Sequence, residues 1–264
     1  MYTRFQLAGK YLLYYFTASN GKGHGIHSPF VYNFIRHVLN VTAGHDAYDQ
    51  VEALRSSLLK DNRLLTVEDM GAGSKSHNRE RRIADIVRHA AKPPKLAQLL
   101  FRIVRYYRSQ SIIELGTSAG LTTAYLALAN KNAAVISMEG AAQVAELAKK
   151  NFKKLQIQNI RVVTGNFDLV LSQVLSEGVR PDFVFVDGNH RKGPTLQYFN
   201  QLLNTINSSS ILIFDDIHWS KEMEDAWESI KAHPKVLLTV DLFFMGLVFF
   251  SNEFKIKQHF VIRY

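Results

Sequence analysis

Three carboxylates and an imidazole stand where chemistry would need them. Asp187 ends the apolar run DFVFVD (182–187) in Val186-Asp187-Gly188-Asn189-His190. Asp215 and Asp216 end SILIFD (210–215) in Phe214-Asp215-Asp216-Ile217-His218-Trp219. Both runs have the length and composition of buried strands, so the acids fall at strand tips, and two neighbouring strands would bring all three together. Crowded carboxylates repel unless a proton or a cation bridges them. A set of oxygen ligands suits Mg²⁺, Ca²⁺ or Mn²⁺. The alternative for these acids is to cap their own loops or to meet the amine of a bound ligand.

A second constellation lies upstream, in Ile112-Ile113-Glu114-Leu115-Gly116-Thr117-Ser118-Ala119-Gly120. An apolar run enters a glycine turn that opens a helix, and glycines at 116 and 120 let a ligand approach the backbone. The spacing G-x-x-x-G is not the G-x-G-x-x-G of a dinucleotide site, and no Gly-Lys-Ser/Thr of a phosphate loop follows. One strand later, Met138-Glu139 places an acid where a doubly wound sheet can present it to the two hydroxyls of a ribose. Asp69-Met70-Gly71-Ala72-Gly73-Ser74 is also glycine-rich, but a charged run follows it instead of an apolar helix start, so an ordinary turn is the preferred reading.

ELGTSAG, the MEG acid, VDGNH and IFDD, in this order, resemble class I S-adenosylmethionine-dependent methyltransferases. The sequence is most similar to the metal-dependent small-molecule O-methyltransferases of the catechol and macrolide-sugar types. The resemblance covers about residues 111–251. It implies that Glu114, Gly116, Thr117, Ser118 and Gly120 surround the methionine and sugar of the cofactor and that Glu139 holds the ribose. It also implies that Gly165-Asn166-Phe167-Asp168 borders the adenine, where Phe167 either stacks on the base or packs in the core. Asp187, which also faces the cofactor, Asp215 and Asp216 match metal ligands, Mg²⁺ being the expected ion. His190 matches a catalytic base and would take the acceptor's proton. His218 and Lys192 are secondary candidates; packing beside Trp219 is the preferred reading of His218.

The elements that must position these residues alternate. Strands at 111–115, 133–138, 160–164, 182–187 and 210–215 are separated by helices at about 119–130, 141–155, up to 177, 194–206 and 219–232. Such alternation predicts a Rossmann-like α/β fold, a doubly wound and mostly parallel sheet. VLLTVDLF (236–243) and GLVFFS (246–251) predict an antiparallel hairpin closing the sheet edge. Residues 1–110 read as a basic helical cap, with a helix start at Ser28-Pro29 and two helices, about 77–91 and 95–108, punctuated by Lys92-Pro93-Pro94. Residues 111–264 read as the S-adenosylmethionine-binding domain.

Composition narrows the classes. A 47% hydrophobic, 21% charged chain is globular. With no cysteine, a disulfide scaffold, a Cys-ligated zinc and a cysteine nucleophile are excluded, and a cytoplasmic setting is expected. The N-terminus makes a poor signal peptide, and the stretch 236–250 is too short and polar to span a bilayer. The net charge of +9 lies in residues 1–110, with 17 Lys+Arg against 8 Asp+Glu; residues 111–264 balance at 15 of each. A solvated helical surface is the preferred reading, an anionic partner the other. The rival functions are a nucleic-acid methyltransferase docking through the basic region and a non-catalytic module that binds S-adenosylmethionine. Tyr11, Tyr14, Tyr15 and Phe16 form an aromatic stripe suited to core packing, a lid or a homodimer contact. The expected acceptor is a small hydroxylated molecule.

Overall fold

A run that is apolar at every position needs cover on both faces, and an amphipathic helix supplies it on one side. In the computed structural model, which describes residues 1–67 and 79–264, these two kinds of segment alternate from Ser111 onward. The chain opens with α1 (Arg4–Thr17), α2 (Pro29–Phe34), which runs into a π-helical turn at Ile35–Leu39, and α3 (Asp46–Leu58). The strands β1 (Leu64–Val67) and β2 (Arg79–Arg82) precede α4 (Ile83–Ala90) and α5 (Pro94–Tyr107). The alternating part is β3 (Ser111–Leu115), α6 (Leu121–Ala129), β4 (Ala134–Glu139), α7 (Ala142–Lys154), β5 (Ile160–Thr164), α8 (Phe167–Ser176), β6 (Phe183–Val186), α9 (Lys192–Leu202), β7 (Ile211–Asp215) and α10 (Lys221–Ala232). Strands β8 (Leu238–Asp241), β9 (Met245–Phe249) and β10 (Gln258–Val261) follow. The class is the Rossmann-like, mostly parallel α/β fold that the sequence predicts. The chain divides into two compact units, Ala43–Val179 and Met1–Thr42 with Arg180–Tyr264.

In the unit 43–179, β3, β4 and β5 are parallel neighbours, with Leu115 opposite Met138 and Glu139 opposite Thr164. Parallel pairing sends every carboxyl end to one edge, so the loops after Leu115, Glu139 and Thr164 gather there. Val51, Leu54, Leu58, Ile83, Val87, Phe101, Tyr125 and Phe152 from α3 to α7 form one buried cluster. One expected helix starts late. The span 77–91 was expected to be helical, yet Arg79–Arg82 pairs antiparallel with β1, and the helix begins at Ile83. The run RERR offers no apolar stripe, whereas Ile83, Ala84, Ile86 and Val87 do and are buried. The turn Asp69–Ser74 and the expected start at 77 lie outside the described residues.

In the other unit the strands run β10-β8-β9-β7-β6. β6 and β7 are parallel, with Val186 opposite Phe214; β9 is antiparallel to both β7 and β8. The expected hairpin is therefore present, but it does not close the edge: β10 lies outside it, parallel to β8. Burial explains the order. All four residues of β8 are buried, as a strand with neighbours on both sides requires, while QHFV of β10 is half-exposed, as an edge strand is. On β9, the indole of Trp227 from α10 lies against Gly246, where a Cβ would sit 2.7 Å from the ring. Trp227 is fully buried and has nowhere to withdraw. Gly246→Ala is expected to destabilise the protein by about 1–3 kcal/mol through overpacking, read as a fall of several degrees in Tm by differential scanning calorimetry; an unchanged Tm would show that the indole yields freely.

Candidate functional site

The unit 43–179 builds a cradle around Glu139. Backbone amides of Gly116 and Thr117 both donate to the Met138 carbonyl at 3.0 Å, so the chain leaving β3 crosses above β4. The turn needs left-handed backbone at Gly116, Ser118 and Gly120, with φ of 108°, 49° and 81°. At Gly120 a Cβ would meet the Phe152 ring at 2.6 Å, so glycine is required there twice over. Ser118 N–H then donates to Glu139 Oε2 at 2.7 Å, and Ala141 N–H to Oε1 at 3.0 Å. Burial raises the Glu139 carboxyl above the ordinary carboxylate pKa, against the lowering pull of the backbone amides of Ala141, Ser118 and Gly140. Ser118 and Ala141 each take one acceptor position and Gly140 N–H adds a further pull, so the carboxylate keeps an acceptor position for a ligand's hydroxyl. The Ser118 hydroxyl is buried and has no hydrogen-bond partner among the described residues. Gly165 N–H donates to the Glu139 carbonyl at 2.9 Å, which brings the loop after β5 to the same place.

The remaining residues expected at this cradle divide. Glu114 and Thr117 are buried and turned inward. Glu114 Oε2 accepts from Thr123 and, at 2.6 Å, from Ser137; the Thr117 hydroxyl lies 2.5 Å from the Ser137 oxygen. This web of hydroxyls fixes the end of β3 beneath the turn. Asn166 is the N-cap of α8, its side chain accepting from Asp168 N–H at 2.9 Å, and Phe167 is the first helical residue, half-buried. Sequence reasoning did not single out Ser137 or Thr123, since two small hydroxyl residues in an apolar strand and helix carry no signal until their partner is known.

The other unit builds the acidic cluster. Because Val186 and Phe214 are paired on parallel strands, the next residue of each, Asp187 and Asp215, emerges side by side. Asn189 takes left-handed backbone (φ 59°), turning the chain so that His190 Nε2 comes back to 3.7 Å from Asp187 Oδ1. Among the described residues, Asp187, His190 and Asp215 form a group whose candidate ligand atoms lie within 4.8 Å of one another. Asp216 is outside that group; it also has left-handed backbone (φ 54°), its N–H donating to the Phe244 carbonyl at 2.7 Å. His190 therefore sits among the atoms able to hold a cation, a position the sequence pattern gave to Asp216. Nearby, Asn189 donates to the Tyr198 hydroxyl at 3.1 Å and accepts from Arg191 at 2.9 Å. Lys192 opens α9, and its backbone N–H donates to Glu222.

His218 has its own partners. Nε2 lies 2.8 Å from Asp241 Oδ2 and Nδ1 3.3 Å from Glu224 Oε1, and the ring stacks on Phe243 at 5.2 Å. Burial by itself would lower the pKa of this imidazole. The hydrogen bonds and charges of Asp241 and Glu224 outweigh burial and raise it above the ordinary histidine value. Glu224 also accepts from the Tyr2 hydroxyl at 2.7 Å and from Lys10 at 2.8 Å.

Among known proteins, residues 113–217 match the family described as "Methyltransferase domain". The chain is 28% identical over 127 residues to the catechol O-methyltransferase of Niastella koreensis, a stretch that covers 47% of this chain and 57% of that enzyme. The match thus spans little more than half the relative's length. Two solved structures share the fold. One is the SAH-bound methyltransferase PaMTH1 of Podospora anserina (TM-score 0.60, 11% identity, covering 96% of this chain and 98% of that one). The other is the O-methyltransferase of Bacillus cereus in complex with SAH (TM-score 0.56, 17% identity, covering 80% and 93%).

The His218 arrangement has a consequence for stability. A histidine whose pKa is raised by folding stabilises the protein fully below its unfolded value, about 6.5, and that contribution is lost as pH rises through the folded value. Stability is therefore expected to fall as pH is raised from about 6 to 8, and the slope to flatten in Asp241→Asn; equal slopes in urea titrations of the two proteins would remove His218 from the account.

Proposed function

We propose that this chain, which carries a class I methyltransferase domain over residues 113–217, transfers the methyl group of S-adenosylmethionine to a hydroxyl of a small acceptor. The observation that carries the reading is the cradle at the ends of β3 and β4: a half-buried carboxylate with an acceptor position to spare, beside a glycine turn and an unpartnered buried hydroxyl at Ser118. These are the groups that a ribose diol and an amino-acid moiety would engage without any pyrophosphate. The catechol O-methyltransferase relative supports an oxygen acceptor.

The sulfonium methyl is already electrophilic, so the protein's contribution is chiefly orientation and the handling of one proton. The two carboxylates fit a divalent cation such as Mg²⁺, with the imidazole beside them kept for the proton. Asp187 and Asp215 would hold it, with Asp216 next in the chain after Asp215 and His190 beside them. Such an ion, when bound, lowers the pKa of a coordinated hydroxyl. His190 Nε2, kept near Asp187 by the turn at Asn189, takes the acceptor's proton, and the Asp187 carboxylate steadies the imidazolium that results.

Two sets of measurements test this. In calorimetry, Glu139→Gln is expected to weaken S-adenosylmethionine binding about tenfold or more. Because hydroxyl donors favour the ionised carboxylate, wild-type affinity should also decline as pH falls through the raised Glu139 value, starting above the ordinary carboxylate range. Binding that is indifferent to both would discard the cradle. In a transfer assay with hydroxylated acceptors, activity is expected to vanish in excess chelator and return with Mg²⁺. His190→Ala should lower turnover by about 10²–10⁴ while donor affinity holds; full turnover in that variant would remove His190 from the reaction.

A further inference from the structure

Helix α1 is apolar on two opposite faces. Leu7, Tyr11, Tyr14 and Ala18 recur at helical spacing and pack on Phe243. Phe5, Leu12, Leu13 and Phe16 recur at the same spacing on the other side and lie in solvent, 91%, 55%, 66% and 77% exposed. The stripe amounts to roughly 500 Å² of apolar surface, at the upper end of what a soluble monomer leaves uncovered. The aromatic stripe expected from the sequence is thus divided: Tyr14 is buried, Tyr11 is half-buried, and Tyr15 and Phe16 are exposed.

Charge says what covers this face. Arg4 lies on one flank of the stripe, and the guanidinium of Arg263 stacks on Tyr15, 4.4 Å from the ring centre, on the same flank; Lys10, on the other flank, is paired with Glu224. Residues 1–45 contain four Lys+Arg and no Asp or Glu. Pairing α1 with α1 of a second copy would bring the Arg4 and Arg263 side of each face together with no acid in segment 1–45 to answer it. The stripe is also short of the roughly 800 Å² per partner that a stable dimer uses. A nucleic acid would answer the charge but leave the phenyl and leucyl groups unmatched. An anionic bilayer surface answers both: apolar side chains enter the acyl boundary while cations stay at the headgroups. At 14 residues α1 reaches only about 21 Å and cannot cross a bilayer; no helix among the described residues is long and apolar enough to do so.

We propose that α1 docks this protein on anionic lipid surfaces, lying in the plane of the interface with Phe5, Leu12, Leu13 and Phe16 inserted. The proposal is independent of the transferase reading. It is tested by co-sedimentation of the whole chain with vesicles of phosphatidylcholine alone and of phosphatidylcholine with 30% phosphatidylglycerol. At low salt, partitioning onto the anionic vesicles is expected to exceed that onto neutral ones at least tenfold and to weaken as NaCl is raised. The variant Phe5→Ser/Leu12→Ser/Phe16→Ser, whose sites are on the solvent side and whose melting temperature serves as the folding control, should lose binding. Arg4→Glu, which leaves the apolar stripe intact, should reduce it. Absence of sedimentation with the anionic vesicles overturns the proposal, as does equal binding by the triple variant. A concentration-dependent dimer in light scattering that the triple variant abolishes also overturns it and assigns the face to a second copy.

Discussion

The arrangement of the 43–179 unit depends on one carboxylate shared by two loops. Glu139 accepts Ser118 N–H through one oxygen and Ala141 N–H through the other, so the turn after β3 and the turn after β4 are tied through a single side chain. The tie is costly, because the group is largely withdrawn from water and that disfavours its charge. It is tolerated because the backbone amides compensate, and charged acceptors make the stronger hydrogen bonds. Beneath it, Glu114 is locked by Thr123 and Ser137, so a second buried acid supports the first. A cradle of this kind is rigid before any ligand arrives, and a preorganised cradle spends less of its binding energy on ordering itself.

How much of this was legible in the sequence depends on the range over which each signal acts. SIIEL is read to the residue because a strand this buried leaves little room for polar positions, and IRVVT, half-exposed as an edge strand is, is read from its β-branched residues. The glycine turn is equally plain, since left-handed backbone at 116 and 120 has few substitutes. Ser118, at φ 49°, shares that conformation and was not expected to, as serine gives no such warning. Strand β10 was missed because QHFV has only weak alternation; its pairing with β8 is a long-range fact. The start of α4 was misplaced for the opposite reason. RERR looks helical by propensity, yet propensity yields where a neighbouring strand offers backbone partners.

The acidic cluster shows the same divide. That Asp187 and Asp215 meet follows from strand ends and parallel pairing, both inferable from the runs they terminate. Asp216 differs from Asp215 by one position only, and which acid joins the cluster is decided by backbone conformation at the turn. Left-handed geometry at Asp216 ties its amide to Phe244, whereas left-handed geometry at Asn189 returns His190 toward Asp187. Asparagine and aspartate adopt that conformation more readily than most residues, so the two turns are allowed by the sequence without being dictated by it.

Glu224 links the N-terminal helix to His218, in the turn after β7, within one unit. Its carboxylate gathers Tyr2 and Lys10 from the N-terminal segment together with His218, which also holds Asp241. Tyr2 N–H adds a backbone bond to the Trp219 carbonyl, and the Tyr14 hydroxyl donates to the Ile262 carbonyl at 2.5 Å. Directional bonds of this number fix the rotation of α1 about its own axis, which apolar packing alone would not. Once Tyr11 and Tyr14 face Phe243, helical periodicity leaves Phe5, Leu12 and Phe16 no place but the outside. The exposed face is thus a consequence of the anchors, and the residues on it are ones that solvent alone gives no physical reason to find there.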